Sequence, residues 1–284
     1  MKGIQKSQQE IILRPEYFNV TEIPGNKASK EQIERLYHRY FFAATLCHGK
    51  DVLEVACGAG MGLGCLARVA HRIVGGDIDK NLISLAQKHY AGRPTIELKI
   101  LDAQQLPFPD GSFDVILLYE AIYYLPEPAR FVEEAVRVLR QNGILIICSV
   151  NKEWPDFNPS PLSRQYLSAR ELYGLLKKGF FEVELYGAFL VETDSLKSRL
   201  LSVAKRTAVR LHLIPKTMKG KEPFKRIFFG NLIPIPSEVY EGMSGYIPPY
   251  RIDIGASMQA FKVLYAIAHR SGEKTENMNP QRLS

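Results

Sequence analysis

The stretch LEVACGAGMGLG, residues 53–64, sets small residues directly behind an apolar run. Side chains are dispensed with where something must come close to the backbone. A strand that runs into glycines and then a helix start is the general way to bring a ligand against bare backbone at the carboxyl edge of an open sheet. A dinucleotide is the first ligand to test. The GxGxxG fingerprint placed on Gly58 and Gly60 requires glycine where Leu63 stands, so it is not met. The spacing is E-x-A-x-G-x-G instead, with Glu54 four residues before Gly58.

Strands and helices alternate on both sides of this turn. Upstream, SKEQIERLYHRYFFAATLC (29–47) opens with Ser29 and Gln32 in capping-box spacing and carries Ile33, Leu36, Tyr40 and Ala43 at helical intervals, which predicts a leading helix. KDVLEVA (50–56) reads as a buried strand, 60–70 as a helix, HRIVGGD (71–77) as a second strand and 81–90 as a second helix. TIELKIL (95–101) and FDVILLY (113–119) are strands three and four. A helix over 129–140, closed by QNG, leads to ILIICSV (144–150), whose continuous apolar character suits a parallel sheet covered on both faces. SARELYGLLKK (168–178) is a helix capped by Ser168, FFEVELYGAF (180–189) a sixth strand, and QAFKVLYAIAHR (259–270) the last. The expected fold is α/β: a doubly wound, mainly parallel seven-stranded Rossmann-like sheet with an N-terminal cap helix and an insertion before the last strand. The expected bounds are an N-terminal extension at 1–28, a core at 29–189 and 257–270, a basic cap insertion at 190–256 and a flexible tail at 271–284.

A chain of 284 residues with 46% hydrophobic content suits one decorated domain with a substantial core. The opening MKGIQKSQQEIILRPEYF lacks an apolar leader, and no run approaches the roughly 20 residues needed to span a bilayer, so a cytoplasmic protein is expected. Cys47, Cys57, Cys65 and Cys148 lie apart without a CxxC pair or a nearby His, which leaves no zinc pattern and no expected metal. The net charge of +7 is concentrated: between Lys197 and Arg226 ten Lys and Arg face the single acid Glu222. A general nucleic-acid binder would spread basic residues over its surface, so nucleic acid is not the expected partner.

Further acids stand where a nucleoside would need them. Asp77 ends the second strand in VGGDID, where a carboxylate can accept from both ribose hydroxyls, and Asp102 ends the third in LDAQQLPF, where it can accept from an adenine amino group. PDGSFDVI leads into the fourth strand, which ends at YEAIYYL. As a set these motifs resemble the class I S-adenosylmethionine (SAM)-dependent methyltransferases, specifically the small-molecule branch with the LPF.D.SFDVI signature. The resemblance covers 29 to about 189, and the final strand fits that family's sheet. Ala56 stands where the family usually has glycine.

The resemblance implies SAM as cofactor and a role for each matching position. Glu54 would anchor the methionine ammonium, directly or through water; Gly58 and Gly60 would admit the cofactor to the backbone. Asp77, with Ile78 beside it, would hold the ribose, and Asp102 with the Ala103 amide the adenine. YHRYFFA resembles the cap helix that folds over SAM, so Arg39 would face the methionine carboxylate and Tyr37 or Tyr40 would cover the methyl. Tyr119, at the end of the fourth strand, belongs to the cofactor side. Glu120, Tyr123 and Tyr124 are the catalytic candidates. Where many relatives carry a His after this strand, Tyr123 and Tyr124 stand here, which leaves Glu120 as the group able to act as a base if an apolar wall raises its pKa. Asn151, Trp154 and Asn158, after the fifth strand, could donate to an acceptor's hydroxyls.

The function expected from the resemblance is methyl transfer from SAM to a small or carrier-linked acceptor. HRYFFA, LEVACGAG and EAIYYL are similar to methyltransferases of bacterial polysaccharide and secondary-metabolite pathways, which favours a sugar hydroxyl. Two alternatives compete: a SAM-fold binding module without catalysis, and an RNA methyltransferase using the basic segment. Within that segment Leu196, Leu200, Val203, Thr207, Ala208 and Leu211 form a mainly apolar helical stripe with Lys205, Arg206 and Arg210 turned away. Three roles stay open for it: a docked cap with a solvated basic face, a contact for an anionic acceptor, or peripheral contact of 196–226 with an anionic membrane.

Overall fold

The computed structural model describes residues 17, 21–160, 162–191 and 231–271. The basic stripe at 196–226, most of the 1–28 extension and nearly all of the tail lie outside them.

The chain begins with a two-residue strand β1 (Lys27–Ala28) and helix α1 (Lys30–Leu46). The capping box forms as the sequence predicts, with the Ser29 side chain accepting from the Gln32 amide and the Gln32 side chain accepting from the Ser29 amide. Strand β2 (Asp51–Val55), helix α2 (Leu63–Ala67), strand β3 (Arg72–Asp77), helix α3 (Lys80–Tyr90) and strand β4 (Ile96–Ile100) follow. Then come β5 (Phe113–Tyr119), α4 (Pro128–Val138), β6 (Leu139–Val150), α5 (Ala169–Leu176) and β7 (Glu182–Leu190). Strands β8 (Ile233–Pro234), β9 (Tyr250–Ile252) and β10 (Phe261–His269) complete the described chain.

The main sheet runs β4-β3-β2-β5-β6-β10-β7-β9. Its first five strands are mutually parallel, and β10 enters antiparallel between β6 and β7. Alternation along β5 feeds two cores. Val115, Leu117 and Tyr119 face the side covered by α1, α2 and α3, while Ile116 and Leu118 face the side covered by α4 and α5. The chain leaves β2 toward β3 and β4 on one side and returns to β5 on the other. The carboxyl ends of β2 and β5 therefore flank the switch point of the sheet, where open α/β folds bind ligands.

Three local expectations need correction. The helix expected over 60–70 shortens to Leu63–Ala67, because Gly60 sits at φ 76° and the preceding residues turn rather than wind. QNG does not close a helix: α4 ends at Val138 and β6 starts at Leu139, with Asn142 at φ 60° and a register shift opposite Phe113 and Val115. Gly143 is required there, since a Cβ would stand 2.9 Å from the Arg140 carbonyl oxygen and 3.0 Å from that of Asp114. The sheet also gains an eighth strand, β9, from within 190–256, pairing antiparallel with β7. The rest of 231–256 packs back onto α1. Ile235 and Val239 are buried, β8 pairs with β1, and His38 donates through Nε2 to the Ile247 carbonyl at 2.8 Å while Tyr265 Oη donates to its Nδ1 at 2.8 Å.

Candidate active site

β2 delivers the chain into a turn with three left-handed residues: Ala56 at φ 57°, Gly58 at 58° and Gly60 at 76°. This places the backbone edge-on at the floor of a cavity of about 590 Å³ whose walls include Gly58, Asp77, Asp102, Tyr119 and Glu120. The Gly58 amide donates to Asp77 Oδ2 at 2.9 Å, and the Asp79 amide donates to Asp77 Oδ1 at 2.8 Å. Each carboxylate oxygen retains a lone pair, so Asp77 is held by two amides and still able to accept. Burial raises its pKa, against the lowering effect of the amides of Asp79, Gly58 and Ile78. Asp102 lines the wall beyond, fixed by the Gln104 amide at 2.8 Å, with Ala103, Ile78, Leu82 and Leu101 supplying apolar surface around it.

Glu54 lies directly behind this floor. Its carboxylate is 1% exposed, and Oε1 accepts from Tyr40 Oη at 2.6 Å. Its other oxygen has no protein partner. Burial pushes its pKa up to about 7; the Tyr40 hydrogen bond and the Arg39 charge pull down, and Asp77 pushes up. Arg39 reaches the same region from α1, pairing with Glu22 Oε2 at 2.5 Å and leaving its buried Nε unbonded. The Tyr119 hydroxyl is likewise buried without a partner, its ring 5.7 Å from that of Tyr40. A buried carboxylate oxygen, guanidinium nitrogen and hydroxyl with nothing to bond are costly unless a polar ligand completes them. An acceptor for an ammonium beside a donor for a carboxylate fits the amino-acid end of SAM, and the Asp77 and Asp102 wall fits its nucleoside.

The cavity wall changes character after β5. Glu120 sits at φ 52°, an uncommon conformation for a non-glycine residue, which turns its side chain off the sheet into the cavity. Its amide donates to the Cys148 carbonyl at 2.8 Å, and its Oε2 accepts from Tyr123 Oη at 3.1 Å. Burial raises its pKa, against the lowering effect of Arg39, Arg35 and the Tyr123 hydroxyl. Tyr123 stacks on Tyr166 with centroids 4.2 Å apart, and Tyr124 meets Tyr17 edge-on at 5.5 Å while donating to Ser160 Oγ at 2.8 Å. The result is one carboxylate against an aromatic wall.

Of the residues singled out from the sequence, Arg39, Gly58, Asp77, Ile78, Asp102, Ala103, Tyr119, Glu120, Tyr123 and Tyr124 line this one cavity. Three do not reach its wall. Tyr37 lies off the inward face of α1, packed on Phe41 at 5.3 Å, because the cavity takes Gln32, Arg35, Arg39 and Tyr40. Gly60 turns toward α3, its carbonyl accepting from Tyr90 Oη at 2.7 Å, and a Cβ there would meet Ala86 and Leu63 at 3.1 Å. Glu54 stands behind the wall and not in it. Asn151, Trp154 and Asn158 are also absent from the lining. The Asn151 side chain is committed to the fold, donating to the carbonyls of Met258 and Phe261 at 2.7 and 2.8 Å. Gln32, which the sequence marks only as a capping partner, and Arg35 also line the cavity and share the i, i+3, i+7 face with Arg39; Tyr17, Thr21, Glu22 and Arg164 line it too and carry no local signal.

Residues 53–147 match the family described as "Methyltransferase domain". One relative, from Mycolicibacterium smegmatis and named "Probable S-adenosylmethionine-dependent methyltransferase", is 35% identical over 173 residues, which are 57% of this chain and 63% of that protein. The "Phthiotriol/phenolphthiotriol dimycocerosates methyltransferase 1" of Mycobacterium ulcerans is 38% identical over 174 residues, 58% of this chain and 59% of that protein. The match thus spans less than two thirds of these relatives. Among solved structures, the YcgJ protein of Bacillus subtilis aligns with a TM-score of 0.53 at 16% identity, covering 84% of this chain and 99% of that one. The [4+2]-cyclase SpnF aligns at 0.54 and 19% identity, covering 94% and 95%. These two likenesses show the fold alone. No helix among the described residues is long and apolar enough to cross a membrane.

Proposed function

We propose that the protein is a SAM-dependent methyltransferase that methylates a hydroxyl of a small or carrier-linked acceptor. The observation that carries this reading is that one cavity joins the Asp77–Asp102 wall to Glu120, a strained and raised-pKa carboxylate facing an aromatic surface. SAM supplies a methyl group on a sulfonium, already activated for displacement. Glu54 and Arg39 would hold its amino-acid end, and Asp77, Ile78, Asp102 and Ala103 its nucleoside, with Tyr119 beside it. Glu120 accepts the proton of the acceptor hydroxyl as that oxygen becomes nucleophilic, and the Tyr123 hydroxyl keeps the carboxylate aimed. Tyr17 and Tyr124 pack the acceptor's body so that its oxygen can sit within about 3.5 Å of the methyl.

The aromatic wall and the name of the Mycobacterium ulcerans relative support a lipid-like alcohol, whereas the sequence motifs favour a sugar hydroxyl. A transfer assay with methyl-labelled SAM, run against long-chain alcohols, glycolipids and free sugars, separates them. Label on any of these that is lost in Glu120→Gln supports the reading. A protein that binds SAM but labels none of these acceptors, or any component of a bacterial lipid extract, is a SAM-fold module instead.

A further inference from the structure

Helix α1 lays Gln32, Arg35 and Arg39 along one wall of the cavity. Arg39 is engaged by Glu22, whereas Arg35, one turn nearer the start of the helix, is held differently. Its Nη2 donates to Glu31 Oε1 at 2.5 Å, while Glu31 Oε2 accepts from Lys262 Nζ at 2.8 Å. One carboxylate thus faces two cations and balances only one of them. Phe189, near the end of β7, sits at φ 59°, an outlier for a bulky residue, and its ring lies 5.6 Å from the Arg35 guanidinium carbon. The guanidinium is therefore pinned at one nitrogen and on one face. Among the described residues it donates nowhere else, and its Nε is buried without a partner. Five N–H donors in a fixed fork are the geometry that receives a carboxylate or a phosphate. Arg164, from the segment before α5, brings another cation to the same cavity. Its amide donates to the Tyr123 carbonyl at 2.8 Å, which ties it to the aromatic wall, and its side chain is exposed.

We propose that the acceptor carries an oxyanion, a carboxylate or a phosphate, which Arg35 receives while the acceptor hydroxyl faces Glu120, with Arg164 adding positive charge at the aromatic wall. This inference rests on the reading of the cavity as a methyltransferase site and deepens it. Arg35 is near enough to Glu120 for its charge to act there, so one small molecule can reach both. Electrostatics also favours an anionic acceptor over a neutral one. SAM brings a sulfonium into a cavity where Arg35, Arg39 and Lys262 outnumber Glu22 and Glu31, and Glu120 becomes neutral when it takes the acceptor's proton. An entering anion relieves that surplus. A neutral, apolar acceptor would instead leave the Arg35 donors desolvated and unpaired.

The test is calorimetry on protein saturated with S-adenosylhomocysteine, so that binding is read without turnover. Two matched pairs serve as probes: hydroxydodecanoate with its methyl ester, and glucose phosphate with glucose. In at least one pair the anion is expected to bind about tenfold or more tightly than its neutral partner, and which pair responds separates a carboxylate from a phosphate. Arg35→Gln is expected to bring the two members within about twofold while leaving S-adenosylhomocysteine affinity within about threefold of wild type. Arg35→Lys keeps the charge and loses the fork, so its preference should fall between those of wild type and Arg35→Gln. Arg164→Gln should reduce the preference less than Arg35→Gln, because water screens an exposed cation. Equal binding within both pairs, or no binding of either anion, overturns the proposal. So does a preference that persists in Arg35→Gln, or a loss in that variant confined to S-adenosylhomocysteine, which would give the guanidinium to the cofactor. If Arg35→Gln fails to fold, wild type and Arg35→Lys decide the matter. Failure of wild type to bind S-adenosylhomocysteine at all would instead overturn the methyltransferase reading itself.

Discussion

Replacing Glu54 by Gln should stabilise the ligand-free protein while impairing its site. The wild-type carboxyl is held at about 7 by burial against an ordinary 4.5, so the folded state binds its proton more tightly than the unfolded chain does. The sign follows directly: this raised pKa contributes stability that is fully present below pH 4.5 and is lost as pH rises through 7. The gap corresponds to about 3 kcal/mol, the cost of ionising a carboxyl that has only Tyr40 and a shared Arg39 for support. Gln has nearly the same shape, accepts from Tyr40 through its carbonyl oxygen and never ionises. Urea unfolding of both proteins from pH 4 to 9 should give curves that coincide at pH 4 and diverge by about 2–3 kcal/mol at pH 8, Gln being the more stable. Other titrating groups cancel in the difference. The same variant should bind S-adenosylhomocysteine at least tenfold more weakly at pH 8. A difference that is flat across pH, or one that grows toward acid, would refute the assignment of a protonatable, uncompensated carboxyl to this position.

Asp77→Ala should weaken S-adenosylhomocysteine about ten- to hundredfold and also lower stability by about 2–4 kcal/mol, because the Gly58 and Asp79 amides lose their acceptor; calorimetry and urea unfolding read the two effects separately. Gly58→Val should abolish binding, since the residue sits at φ 58° with Thr21 only 3.1 Å from a Cβ, whereas Ala56→Gly should leave binding intact and stability within about 1 kcal/mol, relieving a left-handed alanine. Arg35→Gln should move the acid limb of the kcat/KM profile to higher pH, because it removes a cation that favours ionised Glu120; a limb that stays put would clear Glu120 of the base role. Asn151→Ala should destabilise the fold by about 2–4 kcal/mol through two stranded carbonyls while leaving S-adenosylhomocysteine affinity unchanged, as measured by urea unfolding and calorimetry.

The sequence by itself determined the α/β order, the parallel core and the acids at the strand ends. Each of these is written in short-range pattern. Continuous apolar runs make doubly covered strands, a capping box starts α1, and Glu54, Asp77 and Asp102 occur where strands stop. The glycines at 58 and 60 marked a close approach to the backbone, but the left-handed conformation of Ala56, Gly58 and Gly60 is a finding of the structure. Which atoms face the cavity was decided only by the tertiary structure. Gly58 and Gly60 are alike in sequence, yet one looks onto Asp77 and the other onto α3, because the packing of Tyr90 and Ala86 fixes the turn's orientation. Tyr37 and Tyr40 are equally plausible aromatics on one helix, and it is the rotation of α1 over β2 that sends Tyr40 to Glu54 and Tyr37 away. Glu22 and Arg164 join the wall from segments far along the chain and without periodicity, so no local pattern could announce them. The raised pKa of Glu54 belongs wholly to the fold: a carboxylate in the sequence carries no record of how much water it will lose.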